Sequence, residues 1–377
     1  MRKVHIALVG GQPAPVYLGI KDDGQANTVV LVCSPQSRIE AERIKSQFSK
    51  RSVIIKECHP VALQEIEAVA IELYTKYADY DIVVNLTSGT KLWSITFFRV
   101  FNQSVHSHFI YIDQNNFITD ILTKETHLGA INTLKRFELY GTPLTSFHVL
   151  DEYDEDDVTA SKDIELLRQK NRYEFHQLTA KEDFSEVPDR NVRTTELGSK
   201  IEYSLGEKWA MIKMPAYSGR IEVKTISCLH LQEILFNYGW FELKTALELR
   251  KNKKIRNIWL NCKFTDSEGR PKNEIDIIAE MENRLLFVEC KTMIHDTTDI
   301  DKFSSALRNF SGTSSTGIFV TNDKPTERTR SRYEHAIEKC KDNGILTFNF
   351  SLWKNNPFNS PSLSTIINEQ LKFQNKR

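Results

Sequence analysis

The sequence predicts an α/β protein in three parts: a Rossmann-like N-terminal domain over 1–147, a connector over 148–225, and a C-terminal mixed sheet flanked by helices over 226–377. Three observations predict it. Apolar strand-length runs alternate with helical patterns through the first 150 residues, the order that builds a parallel sheet with helices on both faces. The run Asp151-Glu-Tyr-Asp-Glu-Asp-Asp157 is too charged for a core and marks a hinge or solvated loop. Further on, Asn273 to Thr292 reads as two apolar strands joined by a turn around Glu282, Asn283 and Arg284.

In the N-terminal part, strands are predicted at Val4–Val9, Thr28–Cys33, Val53–Lys56, Asp81–Asn85 and Phe109–Asp113, and helices at Ser37–Ser49, Leu63–Tyr77 and Lys91–Asn102. Ligands of such sheets bind at the carboxyl ends of the strands. Three turns meet that edge. Asn85-Leu-Thr-Ser-Gly-Thr-Lys91 runs from a strand through Thr87 and other small residues into a helix. The N–H groups of Ser88, Gly89 and Thr90 face an anion at the helix start, and Lys91 adds positive charge. The spacing is not that of an ATPase P-loop.

A second turn, Val9-Gly-Gly-Gln-Pro-Ala-Pro-Val16, leaves the first strand; Gly10 and Gly11 let a ligand approach the backbone beside Gln12, and Pro13 and Pro15 stiffen the loop. Cys33-Ser34 ends the second strand at the same edge. With no catalytic acid among them, the three turns point to a ligand sensor. Asp113, at the end of another strand, reads as a cap.

The connector is read as a helix over 161–178 and short polar strands over 190–225. From Thr225 a helical pattern runs to Asn237, breaks at Tyr238-Gly239 and resumes from Trp240 to Arg250. Strands follow at Ile255–Phe264, Glu274–Glu280 and Leu285–Lys291. A helix over Ile300–Phe310, a strand at Gly317–Thr321, a helix over Glu327–Lys341 and a strand at Ile345–Phe350 complete the mixed sheet.

Strand alternation puts Leu285, Phe287, Glu289 and Lys291 on one face and Leu286, Val288, Cys290 and Thr292 on the other. Both faces begin apolar, so this is an interior strand. An acid and a lysine at its end are expensive to bury unless paired or bound to a metal. In an antiparallel hairpin Asp276 lies on the neighbouring strand, close enough to share a divalent cation with Glu289 while Lys291 points at the same spot. Hard Mg²⁺ or Mn²⁺ takes oxygen ligands, here two carboxylates and the Cys290 carbonyl, and leaves positions for water and a phosphate. Lys291 then activates the attacking water or neutralises charge on phosphorus. Glu274 shares the face of Asp276 as a supporting group.

Lys plus Arg equals Asp plus Glu, 50 each, so no global field drives the chain onto nucleic acid or membrane. The balance is uneven: residues 226–377 carry 23 basic against 19 acidic residues, which suits a polyanionic substrate met locally. Six cysteines without a C-x-x-C pair read as reduced, packed thiols, and a cytoplasmic location is expected. No segment reads as a membrane span or signal peptide.

The turn from Asn85 to Lys91 resembles the ligand-binding signature of CARF domains, the CRISPR-associated Rossmann-fold sensors of cyclic oligoadenylate. The Asp276, Glu289 and Lys291 set resembles the PD-D/ExK endonuclease superfamily, whose sheet is restriction-endonuclease-like. In this order the two look like the CARF-nuclease effectors of type III CRISPR systems. Tyr238-Gly-Trp-Phe-Glu242 resembles the helix-borne motif of that nuclease family and makes Glu242 a candidate acid. Where the CARF pattern usually has Gly, this chain has Ser88, whose hydroxyl is a donor in place of a close backbone approach. The resemblance implies a homodimer that binds cyclic tetra-adenylate in one symmetric pocket and then cuts single-stranded or nicked nucleic acid, DNA and/or RNA, with Mg²⁺ or Mn²⁺.

Two rival readings make different demands. A metal-independent HEPN ribonuclease uses a helical Arg-x4-6-His, a spacing that Arg330-Ser-Arg-Tyr-Glu-His335 matches on a helix set between strands. A non-enzymatic, ligand-responsive nucleic-acid-binding adaptor has no use for Asp276, Glu289 and Lys291 together. The basic run Arg250-Lys-Asn-Lys-Lys-Ile-Arg256 reads either as a steering patch or as a solvated helix end. Trp240 and Trp259 read as core.

Overall fold

Val4, Ile6, Leu8 and their neighbours in β1 (Arg2–Val9) are fully buried, as the central strand of a doubly covered sheet requires. The protein is described from a computed structural model covering residues 2–180, 188–236, 238–266, 268–281, 284–310, 315–355 and 361–374. Glu282 and Asn283 of the expected turn, and Asn237, lie outside the described residues. The chain divides into two units. The first comprises Met1–Thr145, Lys263–Asn273 and Arg308–Ser314; the second comprises Ser146–Cys262, Glu274–Leu307 and Ser315–Arg377.

The first unit follows the predicted alternation. After β1 come α1 (Pro13–Asp22), β2 (Thr28–Cys33), α2 (Arg38–Ser46), β3 (Ser52–Glu57), α3 (Leu63–Lys76), β4 (Tyr80–Asn85), α4 (Lys91–Phe101) and β5 (Ser107–Ile112). β6 (Phe117–Asp120), β7 (Thr126–Leu128) and α5 (Thr133–Leu139) follow. The sheet order is β3-β2-β1-β4-β5-β6-β7, parallel through β5 and antiparallel beyond. Chain direction across the sheet reverses at β1, between β2 and β4. The carboxyl ends of β1 and β4 therefore border the crevice in which such sheets bind ligands.

The structure departs from the sequence expectation at two places. Pro13 and Pro15 do not stiffen a loop: they open α1, where a missing N–H costs nothing and a fixed φ favours the helix. The β6–β7 hairpin and α5 escaped sequence reading because their short, polar strands carry too little periodicity.

The second unit begins with β8 (Leu144–Val149), whose first two residues belong to the first unit. The acidic run that read as a hinge instead starts a helix, α6 (Glu155–Lys170). Asp154 caps it by accepting the Asp157 N–H at 2.9 Å, and three acids in its first turn favour the positive end of the helix dipole. Asp157 is fully buried, where its carboxylate accepts the His230 N–H at 2.9 Å and meets His230 Nδ1 at 2.8 Å. The single helix expected over 161–178 is two, because Asn171 is extended and caps α7 (Arg172–Thr179).

The polar strands of the connector form an antiparallel sheet, β9 (Arg190–Thr194), β10 (Lys200–Ser204), β11 (Trp209–Pro215) and β12 (Ile221–Ser227), in the order β12-β11-β10-β9. Alternate residues Ile201, Tyr203, Ala210, Ile212 and Met214 bury one face in the unit's core.

α8 (Leu231–Phe236) and α9 (Gly239–Arg250) are separated at the predicted break. Tyr238 has φ of 61°, and a Cβ on Gly239 would sit 2.9 Å from the Glu233 carbonyl oxygen, so the corner needs glycine. There follow β13 (Ile255–Thr265), β14 (Pro271–Met281), β15 (Arg284–Lys291), α10 (Thr298–Phe310), β16 (Ser315–Thr321), α11 (Arg330–Asp342), β17 (Leu346–Asn349), α12 (Phe350–Asn355) and α13 (Leu363–Gln374). The mixed sheet runs β17-β16-β15-β14-β13-β8, with β14 antiparallel to β15 and β15 to β17 mutually parallel. Among the described residues no helix is long and apolar enough to cross a membrane.

Candidate active site

The β14–β15 register ends with Ile277 paired to Val288, and Asp276 and Glu289 are the next residues of their strands. The backbone N–H of Cys290 donates to Asp276 Oδ2 at 2.6 Å and holds that carboxylate against β15. Glu289 Oε1 lies 2.8 Å from Lys291 Nζ, and Asp299, in the first turn of α10, lies 4.0 Å from the same ammonium. Glu242 projects from the first turn of α9.

These groups share one electrostatic environment. Burial, with Glu289 adding, pushes Asp276 up to about 8. Burial raises Glu289 despite the opposing pull of Lys291. Glu242 is driven well above the usual carboxylate range by burial and then by Asp276, Glu233, Glu274 and Glu289. Lys291 is held above its ordinary value: burial opposes its charge, but Glu289 and Asp276 outweigh it. A cluster of acids that raise one another's pKa inside an apolar sheet is a place where positive charge is favourable. Asp299 and Glu233 were absent from the sequence reading, since neither stands in a motif with the strand residues.

Among the described residues no three His, Cys, Asp or Glu side chains group closely enough to enclose a metal ion. A small divalent cation held by one or two carboxylates, with water and phosphate completing its shell, makes no such demand. The hard-oxygen donors Asp276 and Glu289 fit that pattern. Cys290 is partly buried and its thiol is pushed well above its usual value by desolvation and then Asp276, so it does not offer a thiolate.

At the first unit's sheet edge a cavity of about 510 Å³ is lined by Gly10, Gly11, Gln12, Thr87, Ser88 and Gly89, with Pro15 and the segment Tyr111–Gln114. A Cβ on Gly10 would stand 2.8 Å from the Gly89 nitrogen, and Gly89 itself has φ of 81°. The two turns thus meet backbone to backbone. Ser88 Oγ donates to the Gln12 carbonyl at 3.1 Å, and Tyr140 donates to Gln12 Oε1 at 2.7 Å. Thr87 donates to Asn85 Oδ1 at 2.6 Å and accepts from the Ile112 N–H at 2.8 Å, which ties β4 to β5 beneath the cavity.

The other residues expected there have structural work. Pro13 opens α1, Thr90 caps α4 by accepting the Trp93 N–H at 3.2 Å, and Lys91 is that helix's first residue. Ser34 is buried in a reciprocal cap with Ser37. Asp113 is a cap as expected, its Oδ1 accepting from Asn115 and Phe117.

Two family models match the chain: the Card1 CARF domain over residues 4–136 and the Card1-like endonuclease domain over residues 231–344. The chain carries a Card1-type CARF domain and a Card1-like endonuclease domain. Solved structures share its fold. Can2 from Sulfobacillus thermosulfidooxidans, in complex with cyclic tetra-adenylate, superposes with a TM-score of 0.67 at 18% identity, covering 94% of this chain and 98% of that one. Protein VC1899 from Vibrio cholerae gives 0.65 at 13%, covering 92% and 94%. A type III CRISPR defence DNA nuclease activated by cyclic oligoadenylate gives 0.53 at 13%, covering 97% of this chain and 53% of that one. No curated protein sequence matches.

In this CARF endonuclease the HEPN reading has no support. Arg330 and His335 lie on α11, both exposed and about 140° apart around the helix, inside the segment matched to the endonuclease domain. Trp240 and Trp259 are buried as expected. Arg250 of the basic run pairs with Asp151 at 2.6 Å.

Proposed function

We propose that this CARF endonuclease is a homodimer in the cytoplasm, activated by cyclic tetra-adenylate, and that it hydrolyses phosphodiester bonds of DNA and/or RNA with Mg²⁺ or Mn²⁺. Asp276, Glu289, Lys291 and Glu242 in one electrostatic cluster, within the segment matched to the endonuclease domain, carry the reading.

Asp276 and Glu289 would hold the cation, with the Cys290 carbonyl beside them. When bound, the cation neutralises charge at phosphorus and makes water a stronger acid. The Cys290 N–H fixes the Asp276 carboxylate, so one oxygen is committed to the backbone and the other is left for the site. Lys291, already 2.8 Å from Glu289, is placed to donate to a phosphate oxygen as charge builds there. Glu242, driven well above the usual carboxylate range by burial and then by Asp276, would ionise more readily beside a bound cation and so add to the anionic set.

The sensor side rests on the paired turns at the β1 and β4 ends. A two-fold dimer presents Gly10, Gln12, Ser88 and Gly89 twice, which suits a ligand with its own two-fold symmetry. Can2, similar over nearly its whole length, was solved with cyclic tetra-adenylate. Ligand binding activates by favouring an arrangement that is rare without it.

The test is cleavage of single-stranded DNA, single-stranded RNA and supercoiled plasmid with Mn²⁺, with and without cyclic tetra-adenylate and with a chelator. Cutting that needs both metal and ligand supports the proposal and identifies the polymer. Cutting indifferent to the ligand would remove the sensor role.

A further inference from the structure

A second cavity, about 430 Å³, lies wholly within the second unit. Its charged lining is four cations, Arg168, Arg172, Lys324 and Lys354, against one carboxylate, Glu165. Glu165 is already committed, since its Oε1 lies 2.8 Å from Lys244 and 2.9 Å from Lys354. The cavity therefore carries unbalanced positive charge.

Arg168 is the unusual member. It is 9% exposed, and its guanidinium stands 5.3 Å from the Trp240 ring, 5.5 Å from Tyr238 and 5.6 Å from Phe175. Among the described residues no carboxylate or carbonyl pairs with it. Burial, with Arg172 adding, pulls it down to about 10. A buried cation left to aromatic faces alone is one whose hydrogen-bonding edge awaits an anion. Among the described residues the Trp240 Nε1–H, 2% exposed as a residue, also has no acceptor. Asn322, Ser351 and Thr292 add neutral polar groups.

The cavity is joined to the candidate active site through the backbone. Thr292 follows Lys291 directly, and the Asn322 N–H donates to the Lys291 carbonyl at 3.3 Å. Trp240 stands two residues before Glu242 on α9. Its volume lies in the range of small-ligand sites, about 300–1,000 Å³.

We propose that this cavity is a substrate subsite, in which Arg168, Arg172 and Lys324 hold a phosphodiester of the nucleic-acid strand neighbouring the one to be cut. The proposal rests on the nuclease reading for its substrate. Arginine forks bind phosphate oxygens in pairs, and contacts of this kind fix the register of a strand without reading its sequence.

The experiment uses the full-length protein with Arg172→Gln and Lys324→Gln, since neither side chain is in the core. Arg168→Lys is a further variant that keeps charge but loses the fork. In the uncleaving Glu289→Ala background, anisotropy of a fluorescent single-stranded oligonucleotide is titrated across salt concentrations. The double variant is expected to bind about tenfold more weakly, with a salt slope shallower by about 0.7, the value of one lost phosphate contact on a single strand. In the cleaving protein the same pair should raise KM about tenfold with kcat little changed.

An unchanged affinity and salt slope in the double variant would overturn the subsite. So would a nucleoside monophosphate binding as tightly as the strand, which would make the cavity a small-ligand site. If the parent binds the strand and the double variant does not, but no variant ever cuts, the nuclease reading fails and the phosphate subsite stands. Failure to bind any oligonucleotide would sink the subsite whatever the activity.

Discussion

The Asp276 carboxylate of β14 accepts the backbone N–H of Cys290 of β15 at 2.6 Å, just beyond the Ile277–Val288 pair of the two strands. The site acid is thereby held by the fold itself, with no side-chain donor to rotate away. Burial, with Glu289 adding, pushes the same carboxylate up to about 8.

This has a stability consequence with a definite sign. The folded value of Asp276 lies above the ordinary value of 3.8, so the folded state keeps its proton after the unfolded state has lost it. Stability from this group is full below about pH 4 and is lost as pH rises towards 8. Asp276→Asn, which keeps an acceptor for Cys290, should gain stability over the wild-type protein across that window. A gain on the order of a few kcal/mol is expected, read as a Tm difference that widens with pH in chelator. Activity of that variant should fall at least about 100-fold.

Cation affinity should depend on pH in the opposite direction. Because the carboxylates must lose protons to bind a cation, the Mn²⁺ concentration for half-maximal activity should fall as pH rises through about 8. A metal requirement independent of pH between 6 and 9 would detach Asp276 from the cation.

Much of this was legible in the sequence, for a physical reason. Asp276, Glu289 and Lys291 stand out because ionisable residues interrupt strands whose other positions are apolar, and strand alternation fixes which of them meet. The Gly10 and Gly89 turns were legible because small residues at strand ends mark close backbone approach. What escaped lacks local periodicity. α1 was hidden by prolines that read as loop formers, and the Asp151–Asp157 run read as solvated because a helix cap and a hinge have the same composition. Asp299, Arg168 and Arg172 come to their sites only by tertiary packing.

Lys291→Gln would leave Glu289 beside Asp276 and Asp299 without its ammonium partner. Glu289 should then rise further, and the protein should lose about 1–3 kcal/mol, less than for a fully buried pair because Lys291 is 30% exposed. A thermal-denaturation series against pH checks the loss. Single-turnover cleavage should slow at least about 100-fold.

At the other unit, Gly10→Ala places a methyl group 2.8 Å from the Gly89 nitrogen. The two turns must separate, at a cost of about 1–3 kcal/mol, and the ligand cavity changes shape. Calorimetric titration should show cyclic tetra-adenylate binding at least about tenfold weaker, with ligand-dependent cleavage reduced in parallel. Unaltered binding would remove the paired turns from the sensor.

The most direct test is single-turnover cleavage of a labelled strand by the wild-type protein and by Glu289→Ala, each with saturating Mn²⁺ and cyclic tetra-adenylate. The expected result is cutting by the wild type and a loss of at least about 100-fold in the variant, with its folded state and ligand affinity retained. A Glu289→Ala protein that cuts at the wild-type rate would place the chemistry somewhere other than the β14–β15 site.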